Sequence, residues 1–348
     1  MKPLKVAQVA PNIFPVPPKD HGGTERVIYD LSIGLRKMGV DVTLFAPSDS
    51  VIDVPRIGSM PSLQALEALH GSLPPSIPAV LEAVRMEELR LRLNEFDIIH
   101  CHGEFFHAAL LGEARSRSLT TIHWRVDELD RELFFKAFSD LPVAAISRAQ
   151  QEALPQANRT SVVYHGIDPA RFTFSPDEGQ YLAFIGRMTD QKRPDVAIKV
   201  ARDCGKSIRL AGTVDVGNPL YFQTMVEPYL SDSAVYVGPL NDAGKAGFLA
   251  QAEALLFPVD WPEPFGLVMI EAMACGTPVI AWNRGSVSEI VEDGVTGFVV
   301  ENEVQAMEAV ARIGTLDRHR VRARFDERFI ADRMAQDYFA LYLKLLGR

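Results

Sequence analysis

Short apolar runs alternate with helix-period stretches along almost the whole chain, and the alternation starts afresh midway. Residues 4–10, 40–46, 96–101, 119–123 and 142–146 read as buried strands, with helices over 24–38 and 80–93 among them. After the Pro- and Gly-bearing stretch 169–179 a second set follows at 181–186, 208–212, 234–237, 254–257 and 278–282. Continuous apolar strands are covered on both faces, and strand alternating with helix makes parallel sheets flanked by helices. The chain therefore reads as α/β, with two doubly wound, Rossmann-like domains and a boundary near residue 175: residues 1–174, then 175–325. The last stretch, 326–348, holds a helix over 328–345 with one apolar stripe (Phe329, Met334, Tyr338, Leu341, Tyr342, Leu345). That stripe is expected to pack back on the first domain. Two such domains facing each other would leave a cleft, the usual place for a ligand.

Charge narrows the partners. Lys and Arg total 36 against 45 Asp and Glu, a formal net charge of −9, which argues against nucleic acid as the main partner. No apolar run approaches the roughly 20 residues a bilayer span needs, and Met1–Val6 lacks the apolar core of a secretion signal. Three cysteines, Cys101, Cys204 and Cys275, stand far apart with no CxxC, so the cytoplasm is the expected compartment.

The stretch from Pro262 to Pro278 carries the most chemistry. It follows a strand; Glu263 precedes a helix, Glu271 lies about two turns inside it, and Gly276 ends it. Were the whole span helical, the two glutamate backbones would stand about 12 Å apart. A pair flanking one glycosidic bond needs roughly 5–9.5 Å. One long ligand touched at two points is one reading; a capping glutamate plus a partly buried structural one is the other. Backbone amides of Phe265, Gly266 and Leu267 at the helix start form a natural anion seat.

Arg187 and Lys192 follow a strand ending at Gly186, ahead of a helix opened by Pro194. Two cations at a strand's carboxyl edge suit a diphosphate, or belong to a solvated loop. Gly22-Gly23 turns into a helix near Thr24, a second anion seat; the dinucleotide pattern GxGxxG is absent there. His100 and His102 share a strand face by period two, with Glu104 and His107 nearby. Strand-end histidines more often hydrogen-bond loops than hold metal, and no metal site is expected. His102 and His123, on separate strand ends, would both face a polar ligand. Asn158-Arg159-Thr160 fits the glycosylation acceptor pattern, which has no use in a cytoplasmic chain.

Taken together and in order, these segments resemble the retaining glycosyltransferases of family 4, which have the two-domain GT-B fold. Glu263 and Glu271 are similar to that family's E-x7-E motif, residues 21–26 to its glycine-rich loop, and Gly186-Arg187 with Lys192 to its phosphate-binding pair. Gly166-Ile167-Asp168 with Arg171-Phe172, and Gly285-Ser286 with Glu289 and residues 293–297, resemble the linker and the downstream run. Gly22–Val27 together with Trp261–Gly266 is similar to the branch typified by the avilamycin-pathway enzyme. There are departures: Arg193 follows Lys192 where the family often has Gly, and Val259-Asp260 follow Pro258 where Ser is common. The loop at residues 11–20 is long for the family.

The resemblance implies a retaining, metal-independent transfer of a sugar from a nucleotide diphosphate sugar, UDP by family habit, to an acceptor hydroxyl. No cofactor is implied. Glu271 would bind the ribose and Glu263 the donor sugar. Arg187 and Lys192 would hold the diphosphate, joined by amides near Gly23 and at Phe265, Gly266 and Leu267. Leu240 would lie near the base, His123 near the anomeric centre, and His102 with Glu104 on the acceptor side. Acceptor, oligomeric state and contact with the inner membrane face stay open. A sugar-nucleotide epimerase, a nicotinamide oxidoreductase and a non-catalytic binding module are the rival readings.

Overall fold

The computed structural model describes residues 2–19, 22–103 and 105–347. The chain divides into two compact units, Met1–Gly166 with Ala331–Arg348, and Ile167–Ile330. Both have the α/β architecture expected from the alternating pattern.

The first unit is built on a seven-stranded, wholly parallel sheet. Its strands are β1 (Lys5–Val9), β2 (Asp41–Phe45), β3 (Arg56–Ile57), β4 (Ile98–Cys101), β5 (Ser118–Thr121), β6 (Val143–Ala145) and β7 (Arg159–Val162). Their order is β3-β2-β1-β4-β5-β6-β7, so the winding reverses between β1 and β4, where Val9 pairs with Cys101. The second unit has β8 (Tyr181–Ile185), β9 (Ile208–Ala211), β10 (Ala234–Tyr236), β11 (Ala252–Phe257), β12 (Val279–Trp282) and β13 (Gly297–Val300), ordered β10-β9-β8-β11-β12-β13. Here the reversal falls between β8 and β11. Chain on either side of such a reversal leaves in opposite directions, which opens a crevice at the carboxyl ends of the strands.

Three strands escaped the sequence pattern. β3 has two residues, β7 (Arg-Thr-Ser-Val) carries polar residues and lies at a sheet edge, and β13 is a short glycine-led run. The helix expected over 80–93 lies instead at Ile77–Arg90, because Pro78 occupies its first turn, where no amide hydrogen is needed. The terminal helix is shorter than its apolar stripe suggested. One helix, Arg318–Arg328, stops, and another, Ala331–Leu345, begins. Between them Ile167 N donates to Phe329 O at 2.9 Å and Ile167 bridges to Ile330, so the backbone there is extended rather than helical. The unit boundary lies at this bridge, eight residues ahead of residue 175.

Within the first unit, helix Ala331–Leu345 buries Met334, Tyr338, Leu341 and Tyr342. It packs on helix Gly23–Lys37 at Gly34, where a Cβ would come within 2.7 Å of Ala335 Cβ. Any larger residue at 34 would push the two helices apart. No helix among the described residues is long and apolar enough to cross a membrane.

Candidate functional site

In the second unit the polar groups gather at the β8/β11 edge. β8 leads into Gly186, whose backbone is crowded by Gly212: a Cβ on Gly212, at φ +142°, would lie 1.8 Å from Gly186 O. Arg187 follows and is exposed. The loop folds back through Lys192 N donating to Thr189 O at 3.2 Å. This aims the Lys192 ammonium at Glu263, which follows β11, and the two form an ion pair. Trp261 Nε1 donates to the same carboxylate at 2.7 Å. The ammonium also lies 4.9 Å from the Trp261 ring and 5.3 Å from Phe257, within cation–π reach. Both charged side chains are largely buried, so the pair is held in a low-dielectric cradle where its fields are strong.

The segment after Glu263 is fastened from a third direction. Ser286 N donates to Glu263 O and Ser286 Oγ to Phe265 O, both at 3.0 Å. Gly285 allows this approach, since a Cβ there would lie 2.3 Å from Glu263 O. Gly266, left-handed at φ +80°, then starts helix Leu267–Ala274. Met269 N donates to Gly266 O at 3.0 Å, while the amides of Leu267 and Val268 have no acceptor inside the helix and point positive dipole ends outward. Because the helix starts at Leu267, Glu271 lies little more than one turn inside it, not two, and the interval from Glu263 is only partly helical.

Glu271 does not touch Glu263; Lys245 Nζ donates to its Oε1 at 2.6 Å. Lys245 comes from helix Asp242–Ala250, capped by Asn241 Oδ1 accepting from Gly244 N at 2.9 Å, with Leu240 just ahead of the cap. Sequence reasoning missed Lys245, because nothing in its own helix marks it as the partner of a residue on the next one. Arg193 is turned to Asp195 (3.1 Å) and Asp260 (3.4 Å). Its backbone is left-handed, φ +55°, a conformation that favours glycine.

In the first unit the polar groups lie at the β1/β4 edge and form one directional chain. Gln8 Nε2 donates to Tyr342 Oη at 2.9 Å, so Gln8 Oε1 is left to accept from His102 Nε2 at 2.7 Å. Burial holds His102 well below the usual imidazole range, with neighbouring histidines adding to it. Its Nδ1 is therefore a lone pair, and accepts from His123 Nε2 at 2.9 Å. Burial pushes His123 down to about 3, so it too is neutral, and its covered Nδ1 is a bare acceptor with no hydrogen-bond partner among the described residues. On the other side Tyr342 donates to His100 Nδ1 (2.7 Å) and His100 Nε2 to Thr121 Oγ1 (2.8 Å), and the hydroxyls of Thr121 and Tyr338 share a hydrogen bond (2.9 Å). His165 stacks on His123 at 5.1 Å, and His107 is tied to Thr120 Oγ1.

Gly23 opens helix Gly23–Lys37 in this unit. His21 and Glu104 lie outside the described residues. No three His, Cys, Asp or Glu side chains among the described residues gather as a metal-holding group. Asn158 spends its amide on the carbonyls of Phe138 and Leu141 at 2.9 and 3.0 Å, and is buried.

Two family profiles match in succession: "Glycosyltransferase Family 4" over residues 21–171 and "Glycosyl transferases group 1" over 170–328. The chain belongs to this glycosyltransferase family. Its relatives include the D-inositol 3-phosphate glycosyltransferase of Mycolicibacterium smegmatis, 24% identical over 81% of this chain and 76% of the relative. Among solved structures, AviGT4, a glycosyltransferase involved in avilamycin A biosynthesis, is similar with a TM-score of 0.72 at 24% identity, covering 99% and 98% of the two chains. Sucrose-phosphate synthase from Thermosynechococcus elongatus reaches 0.80 at 19% identity over 99% of each chain. The Anabaena protein Alr3699/HepE, solved with UDP and glucose, reaches 0.72 at 19% identity over 97% and 98%. These likenesses identify the fold as that of the GT-B glycosyltransferases.

Proposed function

We propose that this glycosyltransferase moves a sugar from a UDP-sugar to an acceptor hydroxyl with retention of anomeric configuration and without a divalent metal. The observation that carries the reading is the cradle after β8 and β11. It sets the Lys192 ammonium beside Glu263, near the amide-bearing start of helix Leu267–Ala274, with Arg187 on the same loop as Lys192. In this reading the diphosphate draws on Lys192, Arg187 and the helix amides, while Glu263 is left to accept from sugar hydroxyls. Glu271 accepts from the ribose, steadied by Lys245. Leu240 lies under the base. His123 lines the sugar site, and His102 holds its tautomer.

In the reaction the bond from the anomeric carbon to the leaving phosphate oxygen breaks. The acceptor oxygen joins that carbon on the same face, and its proton passes to the leaving oxygen. Negative charge grows on the nucleoside diphosphate, where fixed cations and amides act most strongly. UDP is favoured because a similar fold holds it. The cytoplasm is the compartment we assign.

The test is a thermal-shift panel of UDP-, GDP- and ADP-sugars on the full chain, followed by release of nucleoside diphosphate in chelator. The expected result is the largest shift with a UDP-sugar and turnover that survives chelation. Arg187→Ala should lower turnover about 10²- to 10³-fold with the fold intact. No shift with any nucleotide sugar would overturn the donor reading, and metal-restored activity would overturn the metal-free one. An epimer formed from donor alone would favour the epimerase.

A further inference from the structure

The first unit carries a pocket of about 630 Å³ whose chemistry selects a charge class of acceptor. Much of its lining is apolar, including Leu63, Pro78, Leu81, Phe105, Phe106 and Trp124. Phe106 and Trp124 are partly exposed, so the apolar wall is accessible. No lysine or arginine is among the described lining residues.

The polar lining consists largely of acceptors or of groups already spent. Glu82 Oε2 accepts from Asn12 Nδ2 at 3.1 Å, and its other oxygen, facing Gly103, has no hydrogen-bond donor among the described residues. Asn12 Oδ1 accepts from the buried Arg85 guanidinium at 2.7 Å, and Arg85, also paired with Glu88, is held behind the pocket wall beside Glu82. His102 is bonded at both ring nitrogens, and the remaining nitrogen of His123, Nδ1, is covered, so neither ring offers a donor to the pocket. The one wall rich in donors is the start of helix Gly23–Lys37. There Glu25 supplies its own carboxylate, which accepts from the backbone N–H of Glu25 and Phe14. An anion entering the pocket would meet the Glu82 carboxylate with no lysine or arginine among the described lining residues to bind it directly.

We propose that this pocket receives an uncharged or amino-bearing polyol with an apolar face, donating hydroxyl or amino hydrogens to Glu82, and that it rejects phosphorylated acceptors. The proposal rests on the glycosyltransferase reading above and names the acceptor class for it. It sets this chain apart from relatives named for a phosphorylated inositol.

The experiment is calorimetric or ligand-observed NMR binding of two matched probes, p-nitrophenyl β-glucoside and its 6-phosphate, to the full chain saturated with UDP. The neutral probe is expected to bind about tenfold or more tightly than the phosphate ester. Glu82→Lys should close or invert that ratio, and Glu82→Gln, which keeps the shape, should narrow it. Phe106→Ala should weaken the neutral probe. Equal or tighter binding of the phosphate ester, indifference to Phe106→Ala, or no saturable binding of either probe would overturn the proposal. UDP binding is measured first on the same sample, so a failure of the donor reading shows there, independently of the probe ratio.

Discussion

At the carboxyl edge of the first sheet the polar side chains are neutral and bond in a chain; at the same edge of the second they are ionised and bond in pairs. His100, His102, His107, His123 and His165 are buried or covered, all in the first unit, and burial depresses every one of them. The second unit has Lys192–Glu263 and Lys245–Glu271 instead. Both arrangements satisfy buried polar atoms, but by different physics. A neutral relay sets direction, since each tautomer dictates the next, whereas a charge pair sets potential. The first suits choosing among hydroxyl groups, and the second suits gripping a phosphate.

The largest expected effect separates the two by acid. The five imidazoles are neutral when folded and titrate in the ordinary range when unfolded, so their contribution is present above about pH 6.5 and lost as pH falls below it. Each proton taken up on unfolding contributes about 1.4 kcal/mol per pH unit, so the five together make acid lability steep. Burial pushes Glu25 up to about 7, which acts in the opposite sense. Its folded pKa is raised, so stability falls as pH rises from its ordinary range to about 7. Hydrogen exchange from pH 7.5 down to about 5 should show the first unit opening well before the second. Simultaneous opening would erase the distinction.

Next in size is the charge pair. Lys192→Met leaves Glu263 buried with only Trp261, and should cost about 3–5 kcal/mol by denaturant unfolding. Adding Glu263→Gln should restore most of that stability while leaving donor binding lost. If the double variant is no more stable than the single, the pair is not what the second unit leans on.

The smallest effect is in the relay. Gln8→Leu removes the acceptor of His102 and the donor to Tyr342. It should cost about 1–3 kcal/mol, and raise KM for acceptor more than it lowers kcat, because His123 loses its fixed tautomer. An unchanged KM would make the relay purely structural.

The architecture was legible because a parallel sheet covered on both faces demands long apolar runs at regular intervals. The missed strands β3, β7 and β13 are short or lie at sheet edges, where that demand is weakest. The glutamates and strand-end cations could be picked out by spacing, but not their partners. Lys245 meets Glu271 across two helices, and Gln8 meets His102 across two strands. The pattern also ran the terminal helix through residues 328–330, because an apolar stripe carries no sign of the bridge from Ile167 that interrupts it.

The amino-acid order alone determined the alternation, the restart near residue 175, and which residues carry ionisable or glycine chemistry, because these are properties of neighbours along the chain. The tertiary structure decided which ammonium faces which carboxylate, which nitrogen of His123 is left bare, and where the helix begins that places Glu271. Those depend on atoms tens or hundreds of residues apart being brought to hydrogen-bond distance, and the directionality of a hydrogen bond exists only once both ends are in place.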